Sequence, residues 1–186
     1  MLEQPSLLLR PWIYQVDDAH HPELAGAGWM RRIVHAGTEK SLGVALWDIP
    51  HGLLAWLGQR RIHVYESVDE SQLMMLTRPW SLSRGWDVRD ADEGRIGTVA
   101  PMALHDSSGA RLATLCVAGE GTGDSAWRGE DERILASWHS MPGHGCYFQF
   151  GESLPANPFL HMLLLAGVLA LPPWPRDVAP AIAPSA

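Results

Sequence analysis

A chain of 186 residues with 46% hydrophobic and 19% charged side chains suits one domain with a sizeable core and is too apolar to be disordered in bulk. The formal net charge is −7 and Lys40 is the only lysine, which argues against a general nucleic-acid binder and against simple electrostatic adhesion to anionic lipid. Cys116 and Cys146 are the only cysteines, without a CxxC, so they build no disulfide framework and read as reduced thiols of a cytosolic protein.

The chain opens MLEQPSLLLRPWIY, where Glu3 and Pro5 precede a three-leucine run that Arg10 ends. A secretory leader needs a basic start and ~7–15 apolar residues, so secretion is not expected. PWIYQVDD at 11–18 reads as an opening strand running into a turn. VALWDIPHGLLAWLG at 44–58 is ambiguous: Pro50 excludes one long helix, leaving a strand and then a short helix or loop from His51. IHVYESVDESQLMML at 62–76 reads as strand, polar turn at Val68 to Ser71, then strand.

The middle of the chain repeats itself. WDVRDADEGRIGTV at 86–99 lies over MALHDSSGARLATL at 102–115 with a constant offset of sixteen, matching Val88 to Leu104, Asp90 to Asp106 and Arg95 to Arg111. Each copy is an apolar strand, an Asp/Gly turn and another strand. Asp and Gly tolerate the left-handed backbone of tight hairpin turns, and the alternation on either side gives one face to a core and one to water. WRGEDERILASW at 127–138 repeats the scheme more loosely, and GCYFQFG at 145–151 is a compact aromatic strand. Ten to twelve candidate strands suit an antiparallel barrel.

The longest apolar run, 159–171, is interrupted only by His161 and is bounded by Asn157-Pro158 and Pro172-Pro173. Asn157 suits an N-cap and Pro158 a first helical position. Thirteen residues give about 20 Å of helix, against about 30 Å of bilayer hydrocarbon. A helix without a polar face must be enclosed all round, and in a chain of strands the simplest enclosure is a closed sheet. Ala166 and Gly167 would let a neighbour approach closely. The reading is therefore mainly β: a closed antiparallel barrel of about twelve strands around one buried C-terminal helix, a single domain over 1–171, with a Pro/Ala-rich tail at 172–186.

This order of elements resembles the tubby C-terminal-like superfamily, and within it the phospholipid scramblases and LURP-one-related proteins. The resemblance is carried by Val64-Tyr65-Glu66, the run from Trp86 to Asp92, Gly97, Leu104-His105-Asp106, Gly109, Leu112-Ala113, the Tyr147 strand and the 159–171 helix, and spans residues 7–171. It implies a twelve-stranded barrel around a hydrophobic helix, and a role in lipid or protein binding. The chain departs from a phosphoinositide pocket in having only scattered cation pairs, Arg31-Arg32 and Arg60-Arg61, and it lacks the Pro- or Cys-rich N-terminal arm of membrane-anchored scramblases.

No catalytic set, cofactor site or metal site is read from the residues. Asp90, Asp92 and Glu93 before Gly94 lack the spacing of an EF-hand and read as a turn. His139, His144 and Cys146 lack a fourth zinc ligand, His20-His21 read as loop residues, and GEGTGD at 119–124 is followed by no Lys-Ser/Thr. The best surface for an anionic ligand is Arg60, Arg61, Arg78, Arg84 and Arg89 with Trp80 and Trp86, since arginine beside aromatics suits lipid headgroups or an acidic protein partner. The expected role is a non-catalytic binding module, cytoplasmic or peripheral to a membrane. The alternatives are scramblase-like lipid transport and an enzyme with an unrecognised pocket.

Overall fold

The computed structural model describes residues 1–12, 29–48, 59–67, 71–79, 85–117, 124–141, 145–152 and 154–170. Twelve strands, β1 (Ser6–Trp12), β2 (Trp29–His35), β3 (Ser41–Asp48), β4 (Arg60–Glu66), β5 (Gln72–Arg78), β6 (Trp86–Asp90), β7 (Arg95–Ala100), β8 (Ala103–Asp106), β9 (Arg111–Val117), β10 (Asp124–Arg128), β11 (Ile134–Met141) and β12 (Gly145–Phe150), precede helix α1 (Pro158–Ala170). Each strand pairs antiparallel with its sequence neighbours, and β1 pairs with β12 to close the barrel. Closure leaves no sheet edge unpaired.

The internal repeat is physical. Asp90 Oδ1 accepts from the backbone N–H of Asp92 at 3.1 Å and of Gly94 at 2.7 Å, and Asp106 Oδ1 accepts from Ser108 and Ala110, both at 2.9 Å. The same side chain thus organises two turns sixteen residues apart. A third turn, after β10, repeats the backbone: Gly129 N–H donates to the Arg133 carbonyl as Asp90 does to Gly94 and Asp106 to Ala110. The fourth residue of each turn, Glu93, Gly109 or Glu132, has positive φ. A type I turn closed by a left-handed residue produces a bulge. Register shifts accordingly fall at Val88/Arg89, Leu104/His105 and Trp127/Arg128, in the last residues before these turns.

Alternation sorts the side chains. Leu7 and Leu9, Ile33, Ala45, Ile62 and Val64, Met74 and Leu76, Val88, Leu104, Trp127, Ala136, Cys146 and Phe148 are fully buried or nearly so, together with Leu163 to Ala170 of α1. Asn157 caps the helix, its Oδ1 accepting from Phe159 N at 3.0 Å and Leu160 N at 3.4 Å, with Pro158 as first helical residue. α1 enters at the end where β12 finishes, since the His161 ring lies 4.8 Å from that of Phe150. At Gly97 of β7 an added Cβ would stand 3.2 Å from Leu163 Cδ2 and collide with the His105 carbonyl, so the missing side chain lets helix and strand meet.

The barrel has two unlike ends. The turns at 90–94, 106–110 and 129–133 and the helix entry occupy one, called here the turn end. The starts of β2, β4, β6, β8, β10 and β12 and the ends of β1, β3, β5, β7, β9 and β11 form the other, the far end. The sequence misplaces the opening. The described first strand is Ser6–Trp12, beginning before the expected 11–18, of which 13–18 lie outside the described residues; Leu7 and Leu9 point into the barrel and Leu8, 7% exposed, lies on the opposite face. Trp29–His35 is a strand that the pattern does not announce, since Arg31 occupies a core-facing position. Residues 68–70 of the expected turn at 68–71, residues 51–58 of the expected helix or loop from His51, residues 119–123 of the expected loop at 119–124, and the tail at 172–186 lie outside the described residues.

Candidate functional site

The arginine surface is divided by the fold. Arg60 of β4 stands directly opposite Arg78 of β5, and both continue the core-facing rows of their strands, Ile62 and Val64 in one, Met74 and Leu76 in the other. Two guanidinium groups therefore stand on the inner lip of the far end. Arg61, on the outward face, lies opposite Thr77 and Asp48, and its Nη2 donates to Gln59 Oε1 at 3.1 Å.

Arg89 does not belong to this group. Its Nε donates to Asp87 at 3.2 Å and its Nη1 to the Glu93 carbonyl at 3.1 Å, and Arg95 Nε donates to the other Asp87 oxygen at 2.9 Å. One carboxylate shared by two arginines on the outer wall is an ion network in which both guanidinium groups are already engaged. Trp86 is a core residue only 8% exposed, because it shares the parity of Val88, so it leaves the surface set. Trp80 and Arg84 lie outside the described residues.

A residue pair that the sequence did not reveal joins the lip. Arg31 of β2 lies opposite the fully buried Ala45, and its guanidinium sits 5.6 Å from the ring centroid of Trp47. This is a cation–π contact at the barrel mouth. The Arg31 charge is felt at Cys146, whose thiol burial pushes strongly up while the nearby cation opposes weakly. Strand register decides this pairing, and composition carries no signal for it.

The other candidates resolve into structure. His139 packs on Tyr147 at 5.1 Å between centroids, on the outer wall, whereas Cys146 points into the core, so the two cannot share a metal. His144 lies outside the described residues. The Asp90, Asp92 and Glu93 run is the hydrogen-bonded turn described above. Among the described residues no His/Cys/Asp/Glu group is arranged to hold a metal ion, and no helix is long and apolar enough to cross a membrane.

On the outer wall a groove of about 250 Å³ lies between β9 and the turn after β10, lined by Arg111, Thr114, Cys116, Arg128, Glu130 and Glu132. Ligand pockets run to roughly 300–1,000 Å³, so this groove is small. Its mixed charges are partly paired, with Arg128 Nη1 3.5 Å from Glu132 Oε2. Compared with known proteins, the chain matches no family model and no curated protein.

Proposed function

We propose that the chain is a non-catalytic binding module of the scramblase- and tubby-like type, whose far-end arginines contact the anionic headgroups of a lipid surface. The observation that carries this reading is the register that sets Arg60 opposite Arg78 on the lip of the barrel. Guanidinium forks on one lip suit a phosphate or carboxylate, which they receive through charge-assisted hydrogen bonds. Arg61 follows Arg60 on β4, and Arg31 lies on β2, with β3 between.

The interior supports binding at the surface over chemistry or transport inside. Eight consecutive residues of α1, Leu163 to Ala170, are buried against strand side chains. A helix so enclosed offers no path for a lipid. With a net charge of −7 the chain as a whole is repelled by an anionic leaflet, so contact rests on local headgroup recognition by the lip arginines, each drawn to the surface by about 1 kcal/mol, and is reversible and salt-sensitive.

Vesicle flotation tests the reading, with phosphatidylcholine vesicles that contain or lack phosphatidylserine, at low and high salt. Association is expected only with the anionic vesicles, and it should vanish at high salt and in the double variant Arg60→Glu/Arg78→Glu. Equal binding by the double variant, or none by the native chain, removes the lipid reading.

A further inference from the structure

The barrel wall opens where two hairpins part. β9 and β10 pair from Val117 opposite Ser125 to Thr114 opposite Arg128, which is their last rung toward the turn end. Beyond that rung β10 runs into the turn at 129–133, while β9 already began at Arg111, paired there with His105 of β8. The bulges at Leu104/His105 and Trp127/Arg128 bend both hairpins at this level. The groove of about 250 Å³ lies in the resulting gap.

The charges that line it are not all engaged. Arg128 and Glu132 are 3.5 Å apart and balance each other. Arg111 on the β9 side and Glu130 in the turn opposite line the same groove, and neither side chain has a hydrogen-bond or ion-pair partner among the described residues. The floor between them is small and weakly polar, made of Ala113, the exposed Thr114 and the thiol of Cys116. A ligand of one sign would answer only one side of this arrangement. A molecule with both a carboxylate and an ammonium group answers both, the guanidinium fork receiving the carboxylate and Glu130 accepting from the ammonium. The volume is below that of drug-sized ligand pockets, which selects a small zwitterion over a peptide or a nucleotide.

We propose that the groove is a binding site for a small zwitterion of the amino-acid class, with its carboxylate on Arg111, its ammonium on Glu130 and a short side chain over Thr114 and Cys116. The groove opens to solvent, which screens both contacts, so the affinity is modest, roughly millimolar. The site is separate from the far-end arginines and stands or falls without them.

The test titrates the isotope-labelled native chain with L-alanine, propionate and ethylammonium, and follows the amide resonances of 111–116 and 128–132. The three probes share their apolar part and differ in charged groups. L-Alanine should bind about tenfold more tightly than either of the others, since it makes one more charged contact. Glu130→Gln should reduce L-alanine to the affinity of propionate, and Arg111→Gln should reduce it to that of ethylammonium. Both variants should keep the native spectrum elsewhere, because neither side chain holds another in place. Thr114→Phe, which fills the floor from an exposed strand position, should abolish the shifts. Silent amides at these positions, equal affinity for L-alanine and propionate, or undiminished L-alanine binding in either charge variant overturns the proposal.

Discussion

The indole nitrogen of Trp127 lies 2.7 Å from the point that a Cβ on Gly167 would occupy, with two ring carbons at 2.8 Å. Helix and barrel wall therefore meet without a spare atom, and α1 fits because residue 167 has no side chain. Trp127 is fully buried, packs on Trp138 at 5.7 Å between centroids, and its Nε1–H has no acceptor among the described residues. Alanine at 167 would gain about 1 kcal/mol of helix propensity, but the collision with a large buried ring outweighs it. Gly167→Ala is expected to lose about 1–3 kcal/mol net, read from the urea midpoint. A raised midpoint would show that the ring and the helix are not in contact.

The three repeated turns give substitutions of opposite sign at equivalent positions. Glu93 and Glu132 hold φ of 63° and 61°, and Gly109 holds 89°. A side chain in the left-handed region costs roughly 1–2 kcal/mol, while glycine costs about 0.5–1 kcal/mol through the freedom of the unfolded chain. Glu93→Gly and Glu132→Gly should thus be neutral or stabilising by up to about 1 kcal/mol, and Gly109→Ala destabilising by about as much. Thermal unfolding of the three variants decides it, and a shared sign would contradict the common geometry.

The two thiols should separate cleanly in a labelling experiment. Cys146 has no accessible surface and burial pushes its thiol far above the usual range, whereas Cys116 is partly exposed on the outer groove. Thiolate fraction and access govern alkylation. Iodoacetamide on the folded chain is expected to modify Cys116 alone, with Cys146 reacting only in denaturant. Mass spectrometry that finds Cys146 modified under native conditions would show that the barrel interior opens.

The sequence carried the barrel further than the site. A uniformly apolar run between prolines demands enclosure, and two Asp/Gly turns at constant spacing demand hairpins, so helix, repeat and closure follow from local chemistry. The first two strands escaped because their patterns are broken. Leu7, Leu8 and Leu9 do not alternate in polarity even though only Leu7 and Leu9 reach the core, and Arg31 sits where a core residue is expected. The site depended on register and parity between separate strands. Trp86 reads as a partner of nearby arginines until its parity with Val88 sends it inward, and no local pattern brings Arg31 to Trp47 or Arg60 to Arg78.

His161 makes the stability of the helix entry pH-dependent. Partial burial lowers its pKa below the ordinary 6.5, and a hydrogen bond to the Leu2 backbone opposes the shift without reversing it. The folded chain therefore binds fewer protons than the unfolded one in the window just below 6.5. Stability from this group is complete above the unfolded pKa and declines as pH falls through that window, because protonation favours the unfolded chain. His161→Phe keeps a ring against Phe150, which now lies 4.8 Å from the imidazole, and removes the titration. Urea melts between about pH 7.5 and about pH 5.5 should show the native chain losing more stability than the variant. Parallel curves, or a native chain that gains relative to the variant on acidification, would mean that His161 is not held in its neutral form at the mouth of the barrel.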